Sequence, residues 1–309
     1  MERIVFMGTP RFGQMILGVL IGHYEIAAVV TQPDRKAGRG QRLAISAVKS
    51  LALERQLPLL QPQKLRQPEV VQELERLAPK VIVVAAFGQI LPASILSLPQ
   101  HGCVNVHASV LPRHRGAVPI PAAILAGDRK TGVTVMLMDE GVDTGSILSQ
   151  DSLDIATEDT SASLEEKLGA LGGQLLLDTL PRWLRGEVTP RAQDPSQATY
   201  AGLLRREDGH IVWKEAAEKI ARQCRAFYPW PGAFALWEEK EFKILHARPA
   251  PGYGPEQTPG TVVQFDSQAA VATGSGLLIL ELVQLAGKRP LSAAEFVRGQ
   301  RHFVGSVLH

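Results

Sequence analysis

An asparagine and a histidine stand two residues apart in Val104-Asn105-Val106-His107, where an apolar run ends. Because side chains alternate along a strand, Asn105, His107 and Ser109 would lie on one side of it. Ligands of open α/β sheets bind at the carboxyl ends of the strands. A lone histidine there often has only a structural role. Here it shares the edge with an asparagine and precedes a Pro- and Arg-containing loop at 111–116, so the pattern favours catalysis.

Ser109, His107 and a distant aspartate would also fit a serine acyl hydrolase. That class presents its nucleophile in a G-x-S-x-G turn. In this sequence the serine lies in His107-Ala108-Ser109-Val110, without the flanking glycines. We therefore do not expect Ser109 to be a nucleophile.

A second group of polar residues, Met138-Asp139-Glu140-Gly141-Val142-Asp143-Thr144-Gly145, follows a predicted strand. Asp and Gly are common turn formers, so an ordinary turn is one interpretation. The other is that a carboxylate on a Gly-flanked loop orients the histidine of the neighbouring strand.

Four cations and two glycines occur in Asp34-Arg35-Lys36-Ala37-Gly38-Arg39-Gly40-Gln41-Arg42. The segment has no apolar anchor. It fits equally well a solvated surface loop and a loop that contacts phosphate or RNA and becomes ordered on binding. We expect it to be mobile when free.

The segment Gly8-Thr9-Pro10-Arg11-Phe12-Gly13 lies between a strand and a helix. It lacks the second glycine of G-x-G-x-x-G and the lysine of a P-loop. A tight turn that begins the first helix is therefore the better interpretation than a nucleotide site.

Short apolar runs alternate with helical patterns in the first half of the chain, which predicts βαβ units and a doubly wound, mainly parallel sheet of the Rossmann-like type. The predicted strands are 4–7, 26–31, 81–85, 104–107, 131–138 and 146–155. The predicted helices are 12–21, 44–56, 68–77 and a long helix from about 160 to 185, capped by Thr160-Ser161.

A polar, proline-containing stretch separates this α/β part from a second region. Residues 1–185 are predicted to form the first domain, 186–204 a linker and 205–309 a second domain. Beyond a helix at 216–226, five short strands are predicted, which suggests a small OB-like β-barrel. They are 233–237, 242–247, 260–265, 269–272 and 277–285.

Composition limits the class of protein. The chain has 309 residues, 45% of them hydrophobic and 21% charged, which is ordinary for a soluble two-domain protein. Only two cysteines occur, Cys103 and Cys224, so neither a disulfide framework nor a zinc site is expected. We expect no signal peptide and no membrane span, and a reducing cytoplasm. A net charge of +2 does not by itself indicate a nucleic-acid partner.

Together these motifs resemble the methionyl-tRNA formyltransferase family over nearly the whole chain. The resemblance rests on Phe6 to Pro10, Gln32 to Gly40, Ala86 to Pro92, Asn105 to Gly116, Met138 to Gly145 and Arg225 to Pro231. The Asn-x-His pair with a distant aspartate is shared by transferases that use 10-formyltetrahydrofolate. The Ala37-Gly38-Arg39-Gly40 loop and the C-terminal barrel are more specific to the enzyme that acts on tRNA.

The resemblance implies that Asn105, His107 and Asp143 form the catalytic set. It implies a tetrahydrofolate site and a basic loop that binds the acceptor end of methionyl initiator tRNA. The implied folate residues are Phe87, Gly88, Ile90, Leu91, Ser109, Val110, Leu111, Pro112 and Asp139. The implied tRNA residues are Arg35, Lys36, Arg39 and Arg42. 10-Formyltetrahydrofolate is then the co-substrate, no metal is needed, and we expect a monomer.

Several positions depart from the family pattern. Ala108 and Val110 replace a common glycine and leucine without expected harm to the chemistry. Pro121 stands where glutamine is usual, and His114 where an aromatic residue is common. Pro121 therefore puts a local polar contact in doubt, and the ring of His114 partly replaces the aromatic ring.

Three alternatives remain open from the residues themselves. A sugar-nucleotide formyltransferase can carry a similar barrel but would lack the basic loop, and the purine enzyme would lack the second domain. A hydrolase that releases formate would use the same Asn-His-Asp set with water. A non-catalytic RNA-binding protein would not need that set intact.

Overall fold

The structure, a computed structural model, describes residues 1–37, 42–250 and 257–309, with the backbone alone for Lys36, Ala37 and Arg42. The helices are α1 (Arg11–Leu20), α2 (Ala47–Glu54), α3 (Pro68–Arg76), α4 (Ala93–Leu96), α5 (Pro119–Ala126), α6 (Ser161–Leu184), α7 (Ala217–Ala226) and α8 (Ala293–Gly299). The strands are β1 (Arg3–Gly8), β2 (Glu25–Val30), β3 (Arg35–Ala37), β4 (Arg42–Ala44), β5 (Leu59–Leu60), β6 (Val81–Ala85), β7 (Cys103–His107), β8 (Arg115–Gly116), β9 (Lys130–Leu137), β10 (Ile147–Asp154), β11 (Tyr200–Ala201), β12 (Ala233–Trp237), β13 (Lys240–Ala250), β14 (Val262–Phe265), β15 (Gln268–Ala272), β16 (Leu277–Leu285) and β17 (Leu291–Ser292).

A seven-stranded sheet organises the first half of the described chain, in the order β10-β9-β7-β6-β1-β2-β5. The five strands from β7 to β5 run parallel, whereas β9 is antiparallel to β7 and β10 is antiparallel to β9. The central strands are buried along nearly their whole length, which is why they are near-continuous apolar runs in the sequence. The predicted mainly parallel α/β sheet is confirmed.

The chain reverses its direction of winding between β1 and β6, which are neighbours in the sheet but far apart in sequence. Such a reversal opens a crevice at the carboxyl ends of the strands. The loops that follow these two strands are tied together there, because Thr9 Oγ1 donates to the Phe87 carbonyl at 2.8 Å. The Asn105–His107 strand end lies on the adjoining strand β7.

The first helix begins against a carboxylate of the same domain. The backbone N–H of Phe12 donates to Glu165 Oε1 at 3.2 Å, and Arg11 pairs with Glu166 at 2.8 Å. Burial raises the pKa of Glu165 above its usual value. The helix N-terminus, which binds phosphate in dinucleotide-binding folds, is thus occupied by a side chain. This agrees with the interpretation of Gly8–Gly13 as a turn.

The second half contains an antiparallel sheet in the order β12-β13-β16-β15-β14, with β17 paired to β16. Its inner face packs with α7 and α8 around an aromatic cluster of Trp237, Phe242, Phe296 and Phe303. An α/β domain followed by a β-rich domain is therefore confirmed.

The ends of this sheet are bridged by the segment 305–309. Leu236 in β12 exchanges two backbone hydrogen bonds with His309, at 2.7 and 3.0 Å. Val262 in β14 exchanges two with Ser306 and Gly305, both at 2.8 Å. This closure is compatible with the expected OB-like barrel, which stays a prediction.

Packing divides the chain into two compact units. Unit 1 contains Met1–Pro119, Lys130–Asp154 and Glu165–Gly202, and unit 2 contains Ile120–Arg129, Ile155–Leu164 and Leu203–His309. The domain boundaries at residues 185 and 204 remain predictions from the sequence. Within the described residues, no helix is both long enough and apolar enough to cross a membrane.

Candidate active site

Three side chains from separate parts of the sequence meet at Asp143. His107 Nδ1 lies 3.6 Å from Asp143 Oδ2, and Asn105 Nδ2 lies 3.4 Å from Asp143 Oδ1. The backbone N–H of Gly116 donates to Asp143 Oδ2 at 2.7 Å. Asn105 and His107 are 8% and 6% exposed, so they lie at the edge of the protein interior and not in bulk water. The sequence-predicted set is therefore brought together at the end of β7.

Both ring nitrogens of His107 face hydrogen-bond acceptors. Nδ1 faces the Asp143 carboxylate, and Nε2 lies 3.0 Å from the carbonyl oxygen of His114. Neither acceptor can donate, so only the doubly protonated ring can donate to both at once. A ring protonated at both nitrogens would bring a positive charge to the site. A direct N–H bond to a substrate would require exchange of the His114 contact.

The loop that carries Asp143 is closed internally by Asp139. Asp139 Oδ1 accepts from the Gly141 N–H at 3.0 Å and from Thr144 Oγ1 at 2.6 Å. Asp143 itself has φ 53°, in the left-handed region that costs a side-chain-bearing residue roughly 1–2 kcal/mol. The conformation of the loop is therefore held by its surroundings.

The loop after β7 is held by Thr134 of the adjacent strand β9. Thr134 Oγ1 donates to the Ser109 carbonyl at 2.7 Å and accepts from the Leu111 N–H at 3.0 Å. Ser109 is fully buried, and its hydroxyl donates to the Arg113 carbonyl at 2.6 Å. This position agrees with the prediction that Ser109 is not a nucleophile.

Residues 191–201 also contact the loops of the site. They make up most of the stretch that the sequence predicts as a linker. Gln193 Nε2 donates to the carbonyls of Asp143 and Gly145, both at 2.8 Å. Thr199 Oγ1 accepts from the His114 N–H at 2.8 Å. Strand β11 also pairs with β8, which places it beside Gly116. No local pattern in the sequence predicts these contacts, because isolated polar residues in a proline-containing stretch are typical of loops.

The sequence-predicted folate residues divide into exposed and buried groups. Gly88, Ile90 and Asp139 are exposed, Ile90 to 81%. Val110 and Pro112 are half-buried. Phe87, Leu91, Ser109 and Leu111 are buried, with Phe87 and Leu91 inside the hydrophobic cluster on one face of the sheet. Ile90 is one of several large apolar side chains that are exposed to solvent in the described residues, so its exposure alone does not indicate a ligand site.

The predicted tRNA loop is described only at its two ends. Strands β3 and β4 pair as an antiparallel hairpin, with Arg35 opposite Ala44 and Ala37 opposite Arg42. Arg35 is exposed, and its guanidinium donates to Gln32 Oε1 at 3.2 Å. Arg39 lies outside the described residues, as do the side chains of Lys36 and Arg42.

The base of that hairpin is fixed by Asp34. Its carboxylate accepts from Lys49 Nζ at 2.6 Å and from Gln61 Nε2 at 2.9 Å. These hydrogen bonds, that of Lys49 first, lower the pKa of Asp34 below its usual value. The described part of the chain contains no group of three or more His, Cys, Asp or Glu side chains able to hold a metal ion.

Comparison with known proteins identifies the family. The model of the formyl transferase domain matches residues 2–180, and that of the formyl transferase C-terminal domain matches residues 203–301. The chain belongs to the formyl transferase family. It is therefore a transferase enzyme, and the family match covers both the Asn105–His107 strand and the Asp143 loop.

Relatives similar in length carry a more specific name. A methionyl-tRNA formyltransferase of Citrifermentans bemidjiense is 44% identical over 99% of this chain and 96% of its own. One of Myxococcus xanthus is 46% identical over 98% of this chain and 97% of its own. This formyl transferase is thus similar to these proteins across both of its matched domains.

A solved formyl transferase structure shares the fold. WlaRD, a sugar 3N-formyl transferase solved in the presence of dTDP and 5-N-formyl-THF, superposes with a TM-score of 0.67. The alignment covers 94% of this chain and 99% of WlaRD at 19% sequence identity. At that identity the likeness supports the architecture alone.

Proposed function

We propose that the chain transfers the formyl group of 10-formyltetrahydrofolate to the free amino group of methionyl initiator tRNA, giving N-formylmethionyl-tRNA. The observation that carries the proposal is the likeness, over almost the whole chain, to proteins named methionyl-tRNA formyltransferase. The meeting of Asn105, His107 and Asp143 at the end of β7 gives this chemistry a site.

The reaction forms one C–N bond and breaks another. The methionyl amine attacks the formyl carbon, and negative charge develops on the formyl oxygen. The intermediate then collapses with cleavage of the bond to the folate nitrogen. An α-amino group has a pKa of about 7.7–8.0, so a substantial fraction of the acceptor is neutral near pH 7. The enzyme mainly has to stabilise the oxygen and move one proton.

Asn105 is placed to stabilise that oxygen. One N–H of its amide points towards Asp143, and its second N–H has no partner among the residues that the structure describes. A doubly protonated His107 beside it adds positive charge in a site of low exposure, where such charge acts strongly. The pair His107–Asp143 provides a route for the proton that leaves the amine and must reach the folate nitrogen.

The folate is proposed to lie over the loops at 87–91 and 109–112 with Asp139 nearby. Of this set, Gly88, Ile90 and Asp139 offer exposed surface to the ligand. The buried Phe87, Leu91, Ser109 and Leu111 would act by shaping the loops rather than by broad side-chain contact.

The tRNA is proposed to bind through the basic hairpin and the C-terminal domain. Arg35, Lys36, Arg39 and Arg42 would contact phosphates of the acceptor end, which fix position rather than read sequence. The proposal includes a catalytic domain at 1–185, a linker at 186–204 and a tRNA-binding domain at 205–309. It further includes a monomer that acts in the cytoplasm, where initiator tRNA is used.

The proposal is tested by a competition between acceptors. Purified protein is given 10-formyltetrahydrofolate with charged initiator tRNA, with free methionine, or with an amino-sugar nucleotide, and the formylated product is measured. Formylation of the charged tRNA alone is the expected result. Formylation of the sugar nucleotide with the tRNA ignored would overturn the choice of substrate. Release of formate without transfer would indicate the hydrolase instead.

A further inference from the structure

The amide of Gln193 has a fixed orientation beneath the Asp143 loop. Its Nε2 lies 2.8 Å from two carbonyl oxygens, those of Asp143 and Gly145. Its Oε1 lies 3.2 Å from Arg115 Nε and 2.8 Å from Arg115 Nη2. Carbonyls only accept and a guanidinium only donates, so the reverse orientation of the amide would lose all four hydrogen bonds.

Arg115 is itself held rigidly. The residue is 3% exposed, and Nη1 donates to the Tyr200 hydroxyl at 3.3 Å. Its guanidinium carbon also lies 5.9 Å from the centre of the Tyr200 ring. The backbone of Arg115 is paired with that of Tyr200 between β8 and β11. Arg115, Gln193 and Tyr200 therefore form one connected support next to Gly116.

The support formed by Arg115, Gln193 and Tyr200 holds the backbone of Asp143, whereas the catalytic set holds its side chain. The carboxylate of Asp143 is held by Asn105, His107 and Gly116, whereas its backbone carbonyl is held by Gln193. The left-handed backbone at Asp143 is unfavourable on its own. Without the Gln193 bonds the loop can relax, and the carboxylate would move relative to the imidazole.

We propose that Gln193, oriented by Arg115, is a positioning residue that sets the place of Asp143 against His107 during formyl transfer. This inference rests on the proposed function. It assigns part of the sequence-predicted linker to the catalytic site. A misplacement of about 1 Å in such a site can lower the rate by roughly a hundredfold.

The substitution Gln193→Glu retains an acceptor for Arg115 but removes the N–H groups that donate to the Asp143 and Gly145 carbonyls. One carboxylate oxygen keeps the contact with Arg115, while the other faces two carbonyl oxygens and repels them. We expect kcat for formyl transfer to fall roughly tenfold to a hundredfold, with KM for folate and for tRNA changed less than about threefold. Gln100→Glu is the matched control, because the exposed Gln100 faces the Lys80 ammonium at 3.5 Å, which a glutamate satisfies as well as a glutamine does. Should Glu at position 193 prevent folding, Gln193→Met serves as the second variant.

A double-mutant cycle with Asp143→Ala distinguishes positioning from general support of the fold. If Gln193 acts through Asp143, then Gln193→Glu should lower kcat by less than about twofold in the Asp143→Ala background. An equal fractional loss in both backgrounds would overturn the proposal, and so would an unchanged kcat in the single variant.

Hydrogen exchange at Gly116 tests the same contact without substrate. The Gly116 N–H donates to Asp143 Oδ2, so its exchange rate reports the position of that carboxylate. We expect exchange at least about tenfold faster in Gln193→Glu and unchanged in Gln100→Glu. If the wild-type protein formylated no tRNA, the proposed function would fail, and Gly116 exchange alone would decide whether Gln193 positions Asp143. Unchanged exchange would count against it.

Discussion

Asp143 is the residue on which the geometry of the catalytic set depends. One of its oxygens accepts from Gly116 and faces His107, and the other faces Asn105. Asp143→Asn retains the shape but replaces one acceptor by an N–H, which faces either the Gly116 N–H or the Asn105 amide. We expect kcat to fall by a factor on the order of 10²–10⁴, the usual contribution of a general acid–base group.

The measurement is a single-turnover formylation assay under saturating tRNA and folate. Asp154→Asn is the matched control, because Asp154 is an exposed residue of β10 whose carboxylate lies 3.8 Å from Lys130. A loss of less than about fivefold for Asp143→Asn would remove Asp143 from the catalytic set.

Among the residues of the candidate site, the sequence predicted three side chains that the structure brings together, but it did not predict the residue that holds the loop between them. Asn105 and His107 follow from strand alternation, whereas Asp143 was singled out among the carboxylates of its Gly-flanked loop by the family resemblance. Gln193 lies 50 residues from Asp143 and contacts backbone carbonyls, which carry no residue-specific pattern. A side chain that binds distant main chain leaves no periodic signal, so single-sequence reasoning cannot find it.

At the scale of the element, the contribution of Asp34 to the position of the β3–β4 hairpin can be tested. Asp34 joins that base to Lys49 in α2 and to Gln61, and Asp34→Asn removes the ion pair. We expect the Kd for initiator tRNA to rise about threefold to tenfold while the KM for folate stays constant, because the hairpin is proposed to contact tRNA only. The exposed Asp178 of α6, which accepts from Gln174, gives the control variant Asp178→Asn.

The pH dependence of this contact has a defined sign. The pKa of Asp34 is lowered in the folded chain, chiefly by the Lys49 hydrogen bond. Its contribution is therefore complete above the ordinary aspartate range and is lost as pH falls through the lowered folded value. The protection of the β3 and β4 amides, taken relative to the intrinsic exchange rate at each pH, should be lost only on strong acidification in the wild type, but already at neutral pH in Asp34→Asn. Equal exchange in the two proteins at neutral pH would contradict this role of Asp34.

The segment 305–309 is a second element with a testable role, because it bridges β12 and β14. Leu308 within it is 1% exposed in the core of unit 2. Leu308→Ala should destabilise unit 2 by about 2–5 kcal/mol, as is usual for a buried leucine. Removal of 306–309 should cost more, since the edges of both strands lose their hydrogen bonds.

The alkylation rates of two buried thiols measure the local stability of each unit, Cys224 for unit 2 and Cys103 as the control in unit 1. Burial raises the pKa of Cys103 and of Cys224 to about 12, so neither thiol reacts appreciably in the folded chain near pH 8. Cys224 lies in unit 2 and Cys103 in unit 1. Alkylation of Cys224 should accelerate at least about tenfold in Leu308→Ala, with Cys103 unaffected. Equal acceleration at both thiols would show that 305–309 does not act on unit 2 specifically.

Elements with a strong side-chain pattern were predicted closely, and those made by backbone pairing were not. The buried strand β6 matches its prediction residue for residue, and α6 differs by a residue at each end. The bridge at 305–309 and the short pair β8–β11 were missed because their hydrogen bonds involve backbone alone. The helix α8 was also missed, although Ser292 and Glu295 form a capping box at its start.

At the scale of the whole molecule, we expect the free energy of tRNA binding to be mainly electrostatic, although the formal net charge of the chain is only +2. Each phosphate contact releases counterions, so the logarithm of the binding constant falls with the logarithm of salt concentration. If Arg39 and Arg42 each neutralise one phosphate, Arg39→Ala combined with Arg42→Ala should reduce that slope by roughly 1.5.

The control pair is Arg3→Ala with Arg76→Ala. Arg3 begins β1, and Arg76 ends α3 a few residues before β6, so both lie near the amino ends of parallel strands, opposite the edge that carries the site. Their ion pairs are with Glu25 and Glu73. Binding of initiator tRNA is titrated from low to high salt for the wild type and both double variants. The slope of the control pair should equal that of the wild type. An unchanged slope for the loop pair, or an equal reduction in both pairs, would mean that the hairpin is a solvated surface loop and that tRNA is held elsewhere.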